Sequence, residues 1–158
     1  MRLFIAINLS HQMQNALVEI QEQMRRQNIS GRYSPIENLH LTLAFIGEYP
    51  DPDDIPLPSF SPFDIRLSGF GAFGDLWWAG IDKSNELSSY VRNLRHALAE
   101  ADIPFDHKRF SPHITLLRRG VGQPVVTVPN ISMTVDRVSL IRSDRGKNGM
   151  IYTEIRSI

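Results

Sequence analysis

Two short stretches of the chain carry the same residue types at the same spacing. They are His40-Leu-Thr-Leu-Ala-Phe-Ile-Gly47 and, 73 residues further on, His113-Ile-Thr-Leu-Leu-Arg-Arg-Gly120, identical at four of eight positions. On a β-strand, side chains at i and i+2 project from one face roughly 7 Å apart, so each stretch presents an imidazole beside a hydroxyl. Leu41 and Ile114, between them, point the other way into a core. Imidazole titrates near about 6.5 and can both take and give a proton close to neutrality. A facing pair therefore suits displacement at phosphorus: one neutral ring takes a proton from water while a protonated ring gives one to the departing oxygen. Thr42 and Thr115 can donate to the non-bridging phosphate oxygens, and the guanidinium of Arg118 can offset the charge that builds there. This chemistry requires no metal and no cofactor.

The same residues admit other readings. A lone His-x-Thr on a strand is ordinarily structural, its imidazole satisfied by a backbone group, but a matched pair makes that account less economical. A metal held by both histidines is a third reading, although neither stretch brings a carboxylate to complete a ligand set. Arg118 and Arg119 could also be a solvated strand end. Tyr33, Trp78 and Phe110, with Trp77, are candidates for stacking on a base, against the usual fate of aromatics in apolar runs, which is burial in the core. His11, His96 and His107 lie among polar or basic neighbours and are read as surface residues.

The elements that must hold these residues can be traced along the chain. Leu3 to Asn8 reads as a strand running into Ser10, a helix cap, after which Met13, Leu17, Ile20 and Met24 form an amphipathic stripe that ends before Gly31. Leu39 to Gly47 reads as a strand. Pro50, Pro52, Pro56, Pro58 and Pro62 then preclude a helix between Tyr49 and Pro62. Phe63 to Phe70 alternates, Leu76 to Ile81 is continuously apolar, and the two are expected to form a hairpin turning through Gly69 to Asp75. Ser84 precedes a second helical stripe of Leu87, Tyr90, Val91, Leu94, Ala97, Leu98 and Ala101, closed by Pro104. His113 to Leu117, Ile131 to Ile141 and Met150 to Ile155 read as further strands, the last two joined through Gly146 to Gly149. The fold class is α+β with mostly antiparallel sheet. Strand, helix, strand, hairpin strands is nearly written twice, so residues 1–158 are expected to form one domain of two pseudo-symmetric lobes. Flanking helices would cover the sheets, and both His/Thr pairs would face one central cleft.

Composition narrows the function classes. With 158 residues, 42% hydrophobic, the chain can bury a core of its own. Its 17 basic and 17 acidic residues cancel, which disfavours tracking a long nucleic-acid backbone or lying on an anionic membrane. The balance is uneven: residues 1–79 hold 5 basic and 9 acidic groups, residues 80–158 hold 12 and 8, so the second half is the expected anion-facing half. The absence of Cys excludes disulfides, thiolate metal sites and a cysteine nucleophile. The apolar run near the N-terminus is too short for a signal peptide or a span, and a cytoplasmic location is expected.

On these residues the sequence resembles the two-histidine phosphoesterase superfamily, in particular RNA 2′,3′-cyclic phosphodiesterases of the LigT/ThpR type, also called 2′-5′ RNA ligases. The resemblance runs through Arg2-Leu-Phe-Ile-Ala-Ile7, Glu37-Asn-Leu-His-Leu-Thr-Leu-Ala-Phe-Ile-Gly-Glu48, Trp78-Ala-Gly80 and Phe110-Ser-Pro-His-Ile-Thr-Leu-Leu-Arg118. It continues to Leu140-Ile-Arg-Ser143 and Gly149-Met-Ile-Tyr152. It implies two pseudo-symmetric α+β lobes around a water-filled cleft, and metal-independent opening of a 2′,3′-cyclic phosphate at RNA 3′ ends or nucleotides to a 2′-phosphate. By position, His40 would be the acid at the leaving O3′, His113 the base for water, and Thr42, Thr115 and Arg118 the phosphate ligands; a monomer is expected. In two places the chain departs from that pattern. The proline-rich segment 49–62 stands where relatives carry another helix, which trims the first lobe, and Tyr33 stands where Trp is frequent. Two alternatives of other classes stay open: a module that binds nucleotides or RNA ends without turnover, and a ligase forming 2′-5′ bonds.

Overall fold

Ser10 separates the first two elements of the chain. Before it, β1 (Arg2–Asn8) buries five consecutive residues; after it, α1 (His11–Arg26) begins with the Ser10 hydroxyl accepting the Met13 N–H at 3.1 Å. The cap satisfies one of the amide donors that a helix start leaves unpaired. The stripe of Met13, Leu17, Ile20 and Met24 is buried as its spacing requires, joined by Ala16 and Gln21. Ser84 repeats the device for α2 (Asn85–Glu100), accepting the Leu87 N–H at 3.2 Å, and Leu87, Tyr90, Val91, Leu94 and Leu98 are buried below it. In the computed structural model, which describes residues 1–158, these two helices accompany eight further strands. They are β2 (Ser30–Tyr33), β3 (His40–Glu48), β4 (Phe63–Phe73), β5 (Leu76–Ile81), β6 (His113–Val121), β7 (Ser132–Val135), β8 (Val138–Gly146) and β9 (Gly149–Ser157). Between β3 and β4 the proline-rich segment forms only one 3₁₀ turn, at Pro52–Asp54.

The strands make two antiparallel sheets, a four-stranded one ordered β3-β1-β8-β9 and a five-stranded one ordered β2-β6-β5-β4-β7. The expected α+β class with antiparallel sheets is therefore what the chain adopts. One cluster of 33 buried residues draws on both helices and both sheets, so the two lobes share a core. On β1 the residues Leu3, Ile5 and Ile7 face that core. Phe4 and Ala6 face away from it and form a separate small cluster with Ile141, against which Phe45 and Tyr152 pack. The four-stranded sheet is strongly curled. Although β3 and β9 are its opposite edges, the Asn38 amide just before β3 donates to the Met150 carbonyl of β9 at 3.0 Å. No helix is long and apolar enough to cross a membrane.

The structure differs from the sequence reading at four points. The expected single strand over 131–141 breaks at Asp136 and Arg137, and its pieces, β7 and β8, enter different sheets. The expected hairpin turn over 69–75 is tighter, because β4 runs to Phe73 and the chain reverses at Gly74 and Asp75, with Gly74 at φ +61. The short strand β2 lies outside the elements that the sequence pattern predicts. Finally, the doubled pattern does not map one half onto one lobe, since β8 and β9 return to flank β1 while β2, β4 and β5 join β6.

Candidate active site

The two repeated stretches open β3 and β6, one in each sheet, and the two strands come within 8 Å of each other. Burial along both follows one pattern: His40 and Thr42 are half-buried with Leu41 and Leu43 inside, and His113 and Thr115 are half-buried with Ile114 and Leu116 inside. Each imidazole is fixed in the same way. His40 Nδ1 donates to the Asn38 carbonyl at 2.6 Å and His113 Nδ1 to the Ser111 carbonyl at 2.6 Å. A carbonyl can only accept, so Nδ1 carries the proton in both rings, and each Nε2 is left without a protein partner.

The rings differ in their surroundings. His40 lies against Phe4 at 4.8 Å and meets Tyr152 edge to face at 5.2 Å, enclosed within the curl of the four-stranded sheet. This burial pulls its pKa below the usual imidazole value. The hydrogen bond to Asn38 opposes the shift, and the positive charges of Arg118 and His113 add to it. Arg118 and His113 belong to the other sheet, so His40, His113 and Arg118 share one electrostatic neighbourhood. His113 stands edge-on to Phe73 at 5.3 Å, with Trp78 at 6.3 Å.

A bulge places the arginine. On β6, Thr115 pairs with Trp78 but Leu117 pairs with Trp77, so Leu116 and Leu117 both turn into the core and Arg118 emerges on the face that carries His113 and Thr115. The first stretch repeats this. Thr42 pairs with Ala6 and Ala44 with Ile5, so Leu43 and Ala44 both turn inward, and Phe45 takes the place equivalent to Arg118, with the Arg2 guanidinium 4.9 Å above its ring. No group of three His, Asp or Glu side chains gathers closely enough to hold a metal ion.

The aromatic candidates separate. Trp78 lies on the histidine side, beside Phe73 at 5.4 Å and His113. Trp77 stacks on Phe70 at 5.2 Å against the core. Tyr33 is on the helix side of its sheet: its hydroxyl donates to the Ile29 carbonyl at 2.7 Å, Arg25 of α1 covers its ring at 4.2 Å, and it packs against the core. Phe110 likewise packs against the core. His11 is exposed, His96 pairs with Glu100 at 3.8 Å, and His107 lies against Phe105 at 4.2 Å. Sequence reasoning did not single out Phe73, 51% exposed at the end of β4, or Tyr152, which meets His40. A large exposed aromatic beside a Gly-Asp turn was the available signal for Phe73; Tyr152 has no local signal.

Comparisons with known proteins give the family and the fold. Residues 12–147 match the model of the 2′-5′ RNA ligase superfamily, and the chain belongs to that family. It is 33% identical to an RNA 2′,3′-cyclic phosphodiesterase of Thermus thermophilus over 97% of this chain and 87% of that protein. Among solved structures, E. coli LigT in apo form matches with a TM-score of 0.83 at 26% identity, over 99% of this chain and 95% of that one. E. coli LigT complexed with 3′-AMP matches with a TM-score of 0.80 at 26% identity, over 99% and 96%.

Proposed function

We propose that the protein opens 2′,3′-cyclic phosphates at RNA 3′ ends or on nucleotides, leaving a 2′-phosphate, with His40 and His113 as its acid and base. The observation that carries this reading is the doubled imidazole: two rings, each with Nδ1 tied to a carbonyl and Nε2 free, in one electrostatic neighbourhood with Arg118. The name of the Thermus thermophilus relative gives the substrate class, and the LigT complex with 3′-AMP gives a nucleotide as an occupant of this fold.

In the proposed step, His113 Nε2 takes a proton from water as the water oxygen bonds to phosphorus. The P–O3′ bond breaks, and His40 Nε2–H gives its proton to O3′. Thr42 and Thr115 donate to the non-bridging oxygens, and Arg118 offsets the negative charge that concentrates on them. His40 must be protonated for this role, although burial and nearby cations favour its neutral form in the free protein. A bound phosphate works against burial, the main cause of that preference, because its negative charge favours the protonated ring and offsets the lesser repulsion from Arg118. All these groups come from one chain, so a monomer suffices, and no step calls on a metal.

The test is to incubate chelator-treated protein with a nucleoside 2′,3′-cyclic phosphate and identify the product. A 2′-phosphate is expected. A 3′-phosphate would mean that the other P–O bond breaks, and binding without turnover would make the protein a module that only recognises RNA ends.

A further inference from the structure

From a cross-strand pair of like charges we infer that Arg32 is a second phosphate ligand, which holds the phosphodiester preceding the cyclic end and makes an RNA chain a better substrate than a mononucleotide. The inference rests on the cyclic phosphodiesterase reading. Arg32 on β2 stands directly opposite Arg118 on β6. The next pair, Tyr33 and Leu117, faces the core, so Arg32 and Arg118 share the opposite face, that of His113 and Thr115. Like charges directly opposite one another destabilise an antiparallel pair. Neither guanidinium has a carboxylate partner; seven of the other twelve arginines lack one as well, but these two are set opposite each other without one. An arrangement that is unfavourable in the empty protein becomes favourable once anions lie against it.

The local backbone is built for this pairing. Gly31 holds φ +145, and a Cβ there would fall 2.8 Å from the Arg119 carbonyl and 2.9 Å from that of Arg118, so only glycine lets β2 seat so closely on β6. Gln21 of α1, 2% exposed, donates to the Ser34 and Leu116 carbonyls at 2.9 and 3.0 Å and fastens the two strands from behind. Arg32 is thus presented on a tightly held strand.

The strand order gives the lie of the substrate. Across the sheet, β4 and β5 offer Phe73 and Trp78, β6 offers His113, Thr115 and Arg118, and β2 offers Arg32. A terminal base over the aromatics and its cyclic phosphate at β6 leave the preceding phosphate over β2. A nucleoside cyclic phosphate carries one charge, which Arg118 meets; an RNA end brings another. Guanidiniums rooted about 5 Å apart on flexible stems can spread to neighbouring phosphates.

The experiment compares wild type with Arg32→Gln on a nucleoside 2′,3′-cyclic phosphate and on a trinucleotide with the same end. The expected result is a loss of about tenfold or more in kcat/KM on the trinucleotide, mostly through KM, with the mononucleotide unaffected. Equal losses on both substrates would put Arg32 at the reacting phosphate and overturn the inference, as would no loss on either. A second measurement needs no turnover: the salt dependence of Kd for a trinucleotide ending in a 3′-phosphate should become shallower by about 0.7 in Arg32→Gln, one phosphate contact on single-stranded RNA. An unchanged slope would overturn the clamp. If wild type turns over neither substrate, the proposed activity falls, while this slope still decides the role of Arg32.

Discussion

His40 and His113 hang from their strands by the same bond, Nδ1–H to the carbonyl two residues before, at 2.6 Å in both. The bond sets one tautomer for both rings and leaves the same atom, Nε2, free in each. Roles must then come from the surroundings, apolar aromatic rings around His40 and a more open aromatic shelf beside His113.

His40→Ala and His113→Ala should each lower kcat by about 10²–10⁴, with the double variant little worse than either. A substrate with a better leaving group at the 3′ position should rescue His40→Ala in part and leave His113→Ala unrescued. The reverse pattern in steady-state kinetics would exchange acid and base.

The pH dependence follows from the lowered pKa of His40. In NMR titration of the free protein, His40 should protonate below the ordinary value of about 6.5, and Arg118→Ala should move it upward by removing a repelling charge. The unfolded chain takes up this proton near its ordinary value, while the folded protein does so only at lower pH. This contribution to stability is therefore present above about 6.5 and is lost as pH falls through the folded value. Melting temperature measured against pH should fall on the acid side, and less steeply in His40→Gln.

Tyr152→Leu should leave the protein folded and lower kcat roughly tenfold at nearly unchanged KM if its edge-to-face contact at 5.2 Å serves to orient the His40 ring. A rise in KM with kcat intact would instead assign Tyr152 to substrate binding.

Turnover should survive EDTA, since the proposed proton transfers need only the two imidazoles and a fixed arginine. Loss of activity on chelation, restored by zinc or manganese, would replace this mechanism with a metal-assisted one.

Gln21→Leu should destabilise the protein by about 1–3 kcal/mol, since it strips a donor from the Ser34 carbonyl and from the buried Leu116 carbonyl. Thermal unfolding would measure it, and a neutral result would mean that water replaces the amide.

What the sequence could disclose was whatever depends on neighbouring residues. Ser10 and Ser84 announced the helices because a cap and its stripe are local, and the repeated stretches announced themselves by spacing. Tyr33 shows the limit. Which face of a sheet a residue occupies turns on register, and a slip of one residue reverses it, so its place beneath Arg25 follows only from its pairing with Leu117. Four residues of β2 containing a glycine give no periodicity to detect. The charge split between the halves does not translate into two separate surfaces, because the sheets interleave and Arg32, from the acidic half, stands opposite Arg118. Tyr152 meets His40 across 112 positions of chain, a contact no local pattern encodes.

That interleaving of the sheets has a consequence for how the protein comes into being. β1 and β3 can pair early, but the other flank of β1 stays open until β8 and β9 arrive from the far end of the chain. Pairings so distant in sequence close large loops and form slowly. During synthesis His40 is made long before Tyr152, so one face of its ring stays open to water until the last hairpin docks. The full depression of its proton affinity belongs only to the finished molecule, which makes titration of this single ring a clock for the final step of folding.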